Sequence, residues 1–170
     1  MDKLVEESYK NAYEVTKDLK VGVVDSVETL ANEALYWWQQ NDCVPVDDYT
    51  DDTFESKVKD DCLTIIYRLL FIFYAESRDE LDILPTHDDV YDEGYSLEML
   101  RDLEKVPLIS ETTRNGFFIH ESLNHLFGLL SSGYKDSGNK SFSVRKIDSP
   151  LFDNNRLHYF KGVKFRNVAW

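Results

Sequence analysis

Only 4 prolines and 7 glycines occur in 170 residues, so few positions force the chain to turn and long helices meet little local opposition. The 2 cysteines, Cys43 and Cys62, have no zinc-type spacing and are too few to staple a secreted scaffold. They read as unpaired, small core hydrophobes. No apolar run reaches the roughly 20 residues that a membrane span needs. The longest, "CLTIIYRLLFIFYA" over 62–75, carries Arg68 near its middle and follows Asp60 and Asp61. The mixed, amphipathic stretch from Met1 to Lys20 lacks the charged start and apolar centre of a secretory leader. A cytoplasmic chain with no membrane segment is the expectation. Basic charge is scarce as well: 19 Lys+Arg stand against 32 Asp+Glu, a formal net charge of -13, which argues against a chain that wraps nucleic acid over its whole surface.

What is present is divided unevenly. Residues 1–132 hold 11 basic and 29 acidic residues, a net of -18, while 133–170 hold 8 basic and 3 acidic, a net of +5. The expected organisation is therefore an acidic helical bundle over 1–132 and a basic, loop-rich extension over 133–170 that leads into a further domain.

The apolar periodicity supports mostly α structure. Leu4, Ala12, Val15 and Leu19 share a stripe, which predicts a helix over 3–20. Asp25 and Glu28 have capping-box spacing, which predicts that a second helix starts there and runs to about Asn41. Asp52 and Glu55 repeat the signal, and Phe54, Val58, Ile65, Leu69 and Ile72 continue on one face, so a long central helix is expected over about 53–78. Its apolar surface wraps nearly the whole circumference beyond Cys62, and only Asp61, Thr64 and Arg68 form a polar strip. Such a helix is expected to be enclosed by its neighbours. Residues 79–95 read as an acidic loop, Ser96 as the cap of a short helix to about Lys105, and Thr112 or Thr113 as the start of a second apolar helix ending at Gly133. Beyond it the texture is loop with short strands at most near Phe142 to Ile147, a capped turn near Asn154 or Asn155, and a helix entrance at Asn167. The fold expected is an irregular multi-helix bundle around the long central helix.

Three stretches approach catalytic or ligand-binding patterns. "GYKDSGNKS" over 133–141 nearly spells a phosphate-binding loop, but Asn139 separates Gly138 from Lys140, and a helix rather than a strand precedes it. "HESLNH" over 120–125 places its histidines five apart, so the rings leave the helix in different directions instead of meeting on one zinc. Glu55 and Lys57 follow an acidic stretch as in a Mg2+ nuclease centre, yet they fall in the first turn of a helix. His87 and His158 stand in polar loops. Each stretch reads better as ordinary structure, and no catalytic, cofactor or metal residue is expected.

Four phrases occur in a telling order: "IIYRLLFIFYAESRDELDILP", "YDEGYSLEMLRDLE", "HESLNHLFGLLSSG" and "SPLFD". Over about residues 60–155 this order resembles the large restriction-modification methylases of the type IIG kind and related phage-defence adenine methyltransferases. The resemblance implies a helical connector between an N-terminal nuclease region, where one is present, and an S-adenosylmethionine-dependent adenine methyltransferase that begins beyond Trp170. The cofactor, and Mg2+ where a nuclease is retained, would belong to the parent enzyme, because the methyltransferase motifs are absent from this chain. The partners implied are the methyltransferase domain of the same polypeptide, the nuclease region and duplex DNA. Lys140, Arg145, Lys146, Arg156, Lys161, Lys164 and Arg166 are the candidates for phosphate contact. Two other readings stand beside the connector: an independent acidic interaction module that mimics DNA, and a small hydrolase built on Glu55 and Lys57.

Overall fold

A helix of 39 residues opens the chain. The computed structural model describes residues 2–45, 52–104, 110–135 and 142–170, with side chains from Tyr13 onward except those of 103 and 104. Helix α1 spans Asp2–Gln40, roughly 58 Å at the usual rise. Two helices were expected here, and the structure joins them. Asp25 and Glu28 lie inside α1, and the nearby hydroxyls bond backwards within the helix, Ser26 to the Gly22 carbonyl at 2.7 Å and Thr29 to the Asp25 carbonyl at 2.8 Å. The weakest residue between the two apolar stripes is Gly22, which costs a helix only about 1 kcal/mol. The helix stops where expected. Asp42 takes a left-handed φ of 50°, and the Cys43 N-H donates to the Trp38 carbonyl at 3.1 Å.

Helix α2 spans Phe54–Glu76, starting behind Thr53 without a side-chain cap. The capping role expected of Asp52 is therefore not used. A larger correction concerns its faces. Tyr67, Leu70, Phe73 and Tyr74 are 52%, 40%, 48% and 54% exposed, while Asp61 and Arg68 are each 1% exposed. The aromatic side that was expected to be enclosed faces out. Asp61 and Arg68 face in, because the C-terminal extension supplies their partners, while the half-buried Thr64 bonds back to the Asp60 carbonyl at 2.8 Å.

Past α2, the segment expected to be loop carries a single 3-10 turn at Asp79–Leu81 and helix α3 at Asp89–Gly94. Asp88 starts α3 by accepting from the Val90 N-H. Helix α4 spans Leu97–Glu104, with the Ser96 hydroxyl accepting from the Met99 N-H at 3.1 Å, the cap expected of it. Ser110, not Thr112 or Thr113, caps the short α5 at Glu111–Asn115. Helix α6, Phe118–Ser132, follows Phe117 and ends at Gly133, as its sequence suggests. There the φ of 73° favours glycine, and a Cβ would stand 3.1 Å from Lys146, a tighter contact than usual.

The extension begins with strands β1, Tyr134–Lys135, and β2, Ser143–Val144, paired antiparallel with Tyr134 opposite Val144. Three 3-10 turns follow at Pro150–Phe152, Asn154–Arg156 and Asn167–Ala169. The fold is thus a mostly α-helical, irregular bundle whose last part is loop-rich. Two clusters form its core. In one, Leu30, Ala34 and Trp38 of α1 and Cys62, Ile65 and Ile66 of α2 close around Phe160, Val163 and Phe165 of the extension. In the other, Ile72 and Ala75 meet Tyr91, Leu97 and the α6 face of Leu123, Leu126, Phe127 and Leu130. Leu69 and Trp170 pack against both.

Candidate functional site

Asp61 and Arg68 lie seven positions apart, two helical turns, and so project from the same side of α2. The extension crosses that side. Asp61 accepts three backbone N-H groups, from His158 at 2.9 Å, Tyr159 at 2.7 Å and Phe160 at 3.0 Å. Arg68 donates through Nε to the Leu151 carbonyl at 2.6 Å and through Nη1 to Asn154 Oδ1 at 2.7 Å. Its guanidinium carbon stands 5.2 Å from the centre of the Phe127 ring. A carboxylate thus gathers donors and a guanidinium gathers acceptors, which turns an irregular loop into a fixed one. Burial lowers the pKa of Arg68, while Asp153 and Asp61 pull the other way. Burial, with Asp61 adding to it, pushes the Cys62 thiol up to about 12.

Three more side chains tie distant segments. Glu33 of α1 receives Arg166 through Nη2 at 2.6 Å and Nε at 3.0 Å, and the guanidinium lies 3.6 Å from the centre of the Tyr36 ring. The bond to Glu33 raises the Arg166 pKa. Asn167, expected only as a helix entrance, accepts from the Ile119 N-H at 3.1 Å and donates to the Thr113 carbonyl at 2.9 Å. Glu76 accepts from the Tyr91 hydroxyl at 2.8 Å and the Leu97 N-H at 2.9 Å, joining the end of α2 to α3 and α4. Burial raises the pKa of Glu76, and burial beside Glu76 raises that of Tyr91.

The candidate phosphate contacts do not converge. Arg166 is committed to Glu33, Lys164 reaches Glu121 on α6 at 2.8 Å, and Lys161 reaches Asn155 at 3.2 Å. Lys146 lies 3.8 Å from Asp148 with both side chains exposed. Arg145 and Arg156 are exposed, and Lys140 lies outside the described residues. Sequence spacing identifies such cations but says nothing of the carboxylates on α1 and α6 that take two of them.

The motif-like stretches separate in the same way. His120 is buried and bonds Asn124 at 2.7 Å, whereas His125 stacks on Tyr95 with ring centres 5.5 Å apart. Burial, with Lys164 nearby, brings the His120 pKa down to about 4. Glu55 is exposed in the first turn of α2. Among the described residues no group of three or more His, Cys, Asp or Glu is placed to hold a metal, and no helix is long and apolar enough to cross a membrane. Cys62 is buried as expected of a core residue, but Cys43 is exposed, and both are unpaired.

Between α2, α6 and the extension lies a cavity of about 80 Å3, whose polar lining includes Arg68, His120, Asn124, Lys161 and Trp170. Arg68 Nη2 and Trp170 Nε1 are buried and have no hydrogen-bond partner among the described residues. Comparison with protein-family models, with curated proteins and with solved structures finds no match to this chain.

Proposed function

We infer that the chain is a non-catalytic helical connector of a DNA restriction-modification enzyme, whose parent polypeptide carries an S-adenosylmethionine-dependent adenine methyltransferase and, in some forms, a nuclease. One observation carries this reading: the phrases that resemble such enzymes are bonded to each other. Glu76 of "YAESR" holds Tyr91 and Leu97 of "YDEGYSLE", and Arg68 of "IIYRLL" holds Leu151 and Asn154 in and just after "SPLFD". Residues used in this way fix distances between segments rather than meet a substrate. A connector between two sites on one duplex needs that rigidity more than a flexible tether could give it. The parent enzyme's cofactor has no residues in this chain, and no step of methyl transfer is placed here.

The charge division agrees with this role. The acidic body would repel DNA, and the exposed Arg145, Lys146 and Arg156 remain for a duplex passing the extension. A second reading is an acidic protein-interaction module. The open stripe of Tyr67, Leu70, Phe73 and Tyr74 on α2 favours it, since an apolar face of this kind suits a protein partner. Reading the gene beyond Trp170 separates the two. An adenine-methyltransferase motif in frame supports the connector, and a stop codon directly after Trp170 removes it and leaves the module.

A further inference from the structure

We propose that two copies of the chain dock reciprocally, residues 13–24 of α1 in each lying on the face of α2 at 67–74 in the other. Every residue of α1 over 13–22 is exposed, whereas a helix normally draws its stability from packing an amphipathic face. Of the fifteen large hydrophobic side chains exposed among the described residues, five lie on α1 over 13–24 and four on α2 over 67–74. Apolar surface concentrated in this way suits a protein contact.

The pairing made inside the chain says what each face fits. Val23 of α1 packs against the cluster that holds Ile66 of α2. Leu19 lies one turn before Val23 on the same side of α1, and Leu70 and Phe73 lie one and two turns beyond Ile66 on the same side of α2. Leu19, Leu70 and Phe73 are nonetheless exposed. The surfaces that pack α1 on α2 thus run on past the point where the two helices cover each other. A second copy brings both surfaces at once, and each meets the kind of surface it already packs on within the chain.

Charge points the same way. Lys17 and Lys20 follow Tyr13 at four and seven positions and so share its side of α1, while Glu14 and Asp18 lie across the helix. Phe73 of the α2 face also borders an open depression of about 400 Å3, with Glu76, Asp79, Asp92 and Glu98 in its lining. Arg101, the one cation of that lining among the described residues, bonds Glu98. Burial, and then Glu98 and Asp92, raise the pKa of Glu76, so negative charge collects there without relief. Lysines arriving beside an apolar ridge fit this rim, and the α1 helix of a second copy carries both.

The pairing stands whether the chain is a connector or an interaction module, and sedimentation velocity tests it. The expected result is a monomer–dimer equilibrium that moves to dimer as protein rises through the micromolar range. Leu19→Asp and Phe73→Asp, at exposed positions, should each weaken it about tenfold or more. The charges give a stricter test. Lys17→Glu with Lys20→Glu in one variant, and Asp79→Lys with Asp92→Lys in another, should each leave a monomer, and mixing the two should restore a dimer. Contact of α1 with α1 would spare the second variant. All four charges are exposed, so urea unfolding of either variant in dilute solution should match the wild type. The proposal is overturned if the wild type stays monomeric up to submillimolar concentration, if the dimer survives Phe73→Asp or the Asp79 and Asp92 variant unchanged, or if the mixture stays monomeric.

Discussion

Asp61 Oδ2 accepts the Phe160 backbone N-H at 3.0 Å across 99 positions of sequence, and the same carboxylate also holds His158 and Tyr159. Aspartate fits because it is an acceptor at both oxygens. Asp61→Asn keeps the shape but turns one oxygen into a donor that faces other donors. The expected loss is about 2 to 4 kcal/mol of unfolding free energy, read by urea denaturation. Asp60→Asn, one position away and exposed, should change stability by less than about 0.5 kcal/mol.

Glu33 and Arg166 form a two-pronged pair with side chains only 11% and 20% exposed, whereas the Glu121 and Lys164 side chains are 58% and 43% exposed. Geometry and burial decide which pair contributes. A double-mutant cycle with Glu33→Gln and Arg166→Lys should give a coupling of about 1 to 3 kcal/mol, little changed by salt. The corresponding cycle for Glu121 and Lys164 should give a clearly smaller coupling that fades as salt rises.

His120 prefers to be neutral in the folded chain, with its pKa moved from 6.5 down to about 4 by burial and Lys164, against a smaller opposing pull from Glu121. Between those two values the unfolded chain binds the proton and the folded one does not. Stability attributable to this ring therefore falls as pH drops from 6.5 to about 4, by at most about 1.4 kcal/mol per pH unit. Urea unfolding of wild type and His120→Gln should show a stability difference that is constant above neutrality and shifts against the wild type through that window. A difference independent of pH would contradict the assignment.

Cys43 is exposed and Cys62 is buried, with its thiol pushed up to about 12. A thiol reagent at neutral pH should label Cys43 promptly. Labelling of Cys62 should await unfolding and accelerate with denaturant, since the thiolate is the reactive form. Mass spectrometry after timed labelling distinguishes the two sites, and rapid double labelling of the native chain would show that the α2 core opens locally.

Helices with clear periodicity were legible in the sequence because their information is local. The apolar spacing of α2, the Ser96 cap and the Gly133 stop each involve residues within a turn or two. The junction at Asp25 was misread for the same reason, since a capping pattern also fits a helix interior when nothing else interrupts the chain. The six residues of α3 are too few to display a period. Which way α2 faces was beyond local reading. Hydropathy marks Asp61 and Arg68 as polar, but their partners lie 83 to 99 positions away, and only those partners make the polar side the covered one. The cavity was hidden likewise: its lining draws Arg68 from α2 and Trp170 from the extension, residues that no motif connects.

Because Phe160, Val163 and Phe165 complete the cluster that begins with Leu30 and Cys62, the order of synthesis matters. At about 5 to 20 residues per second, the early helices leave the ribosome roughly 5 to 20 seconds before the segment that seals them. During that interval their greasy seam is bare, and the nascent chain must be shielded or must tolerate delay. A protein built this way matures only when its later segment arrives.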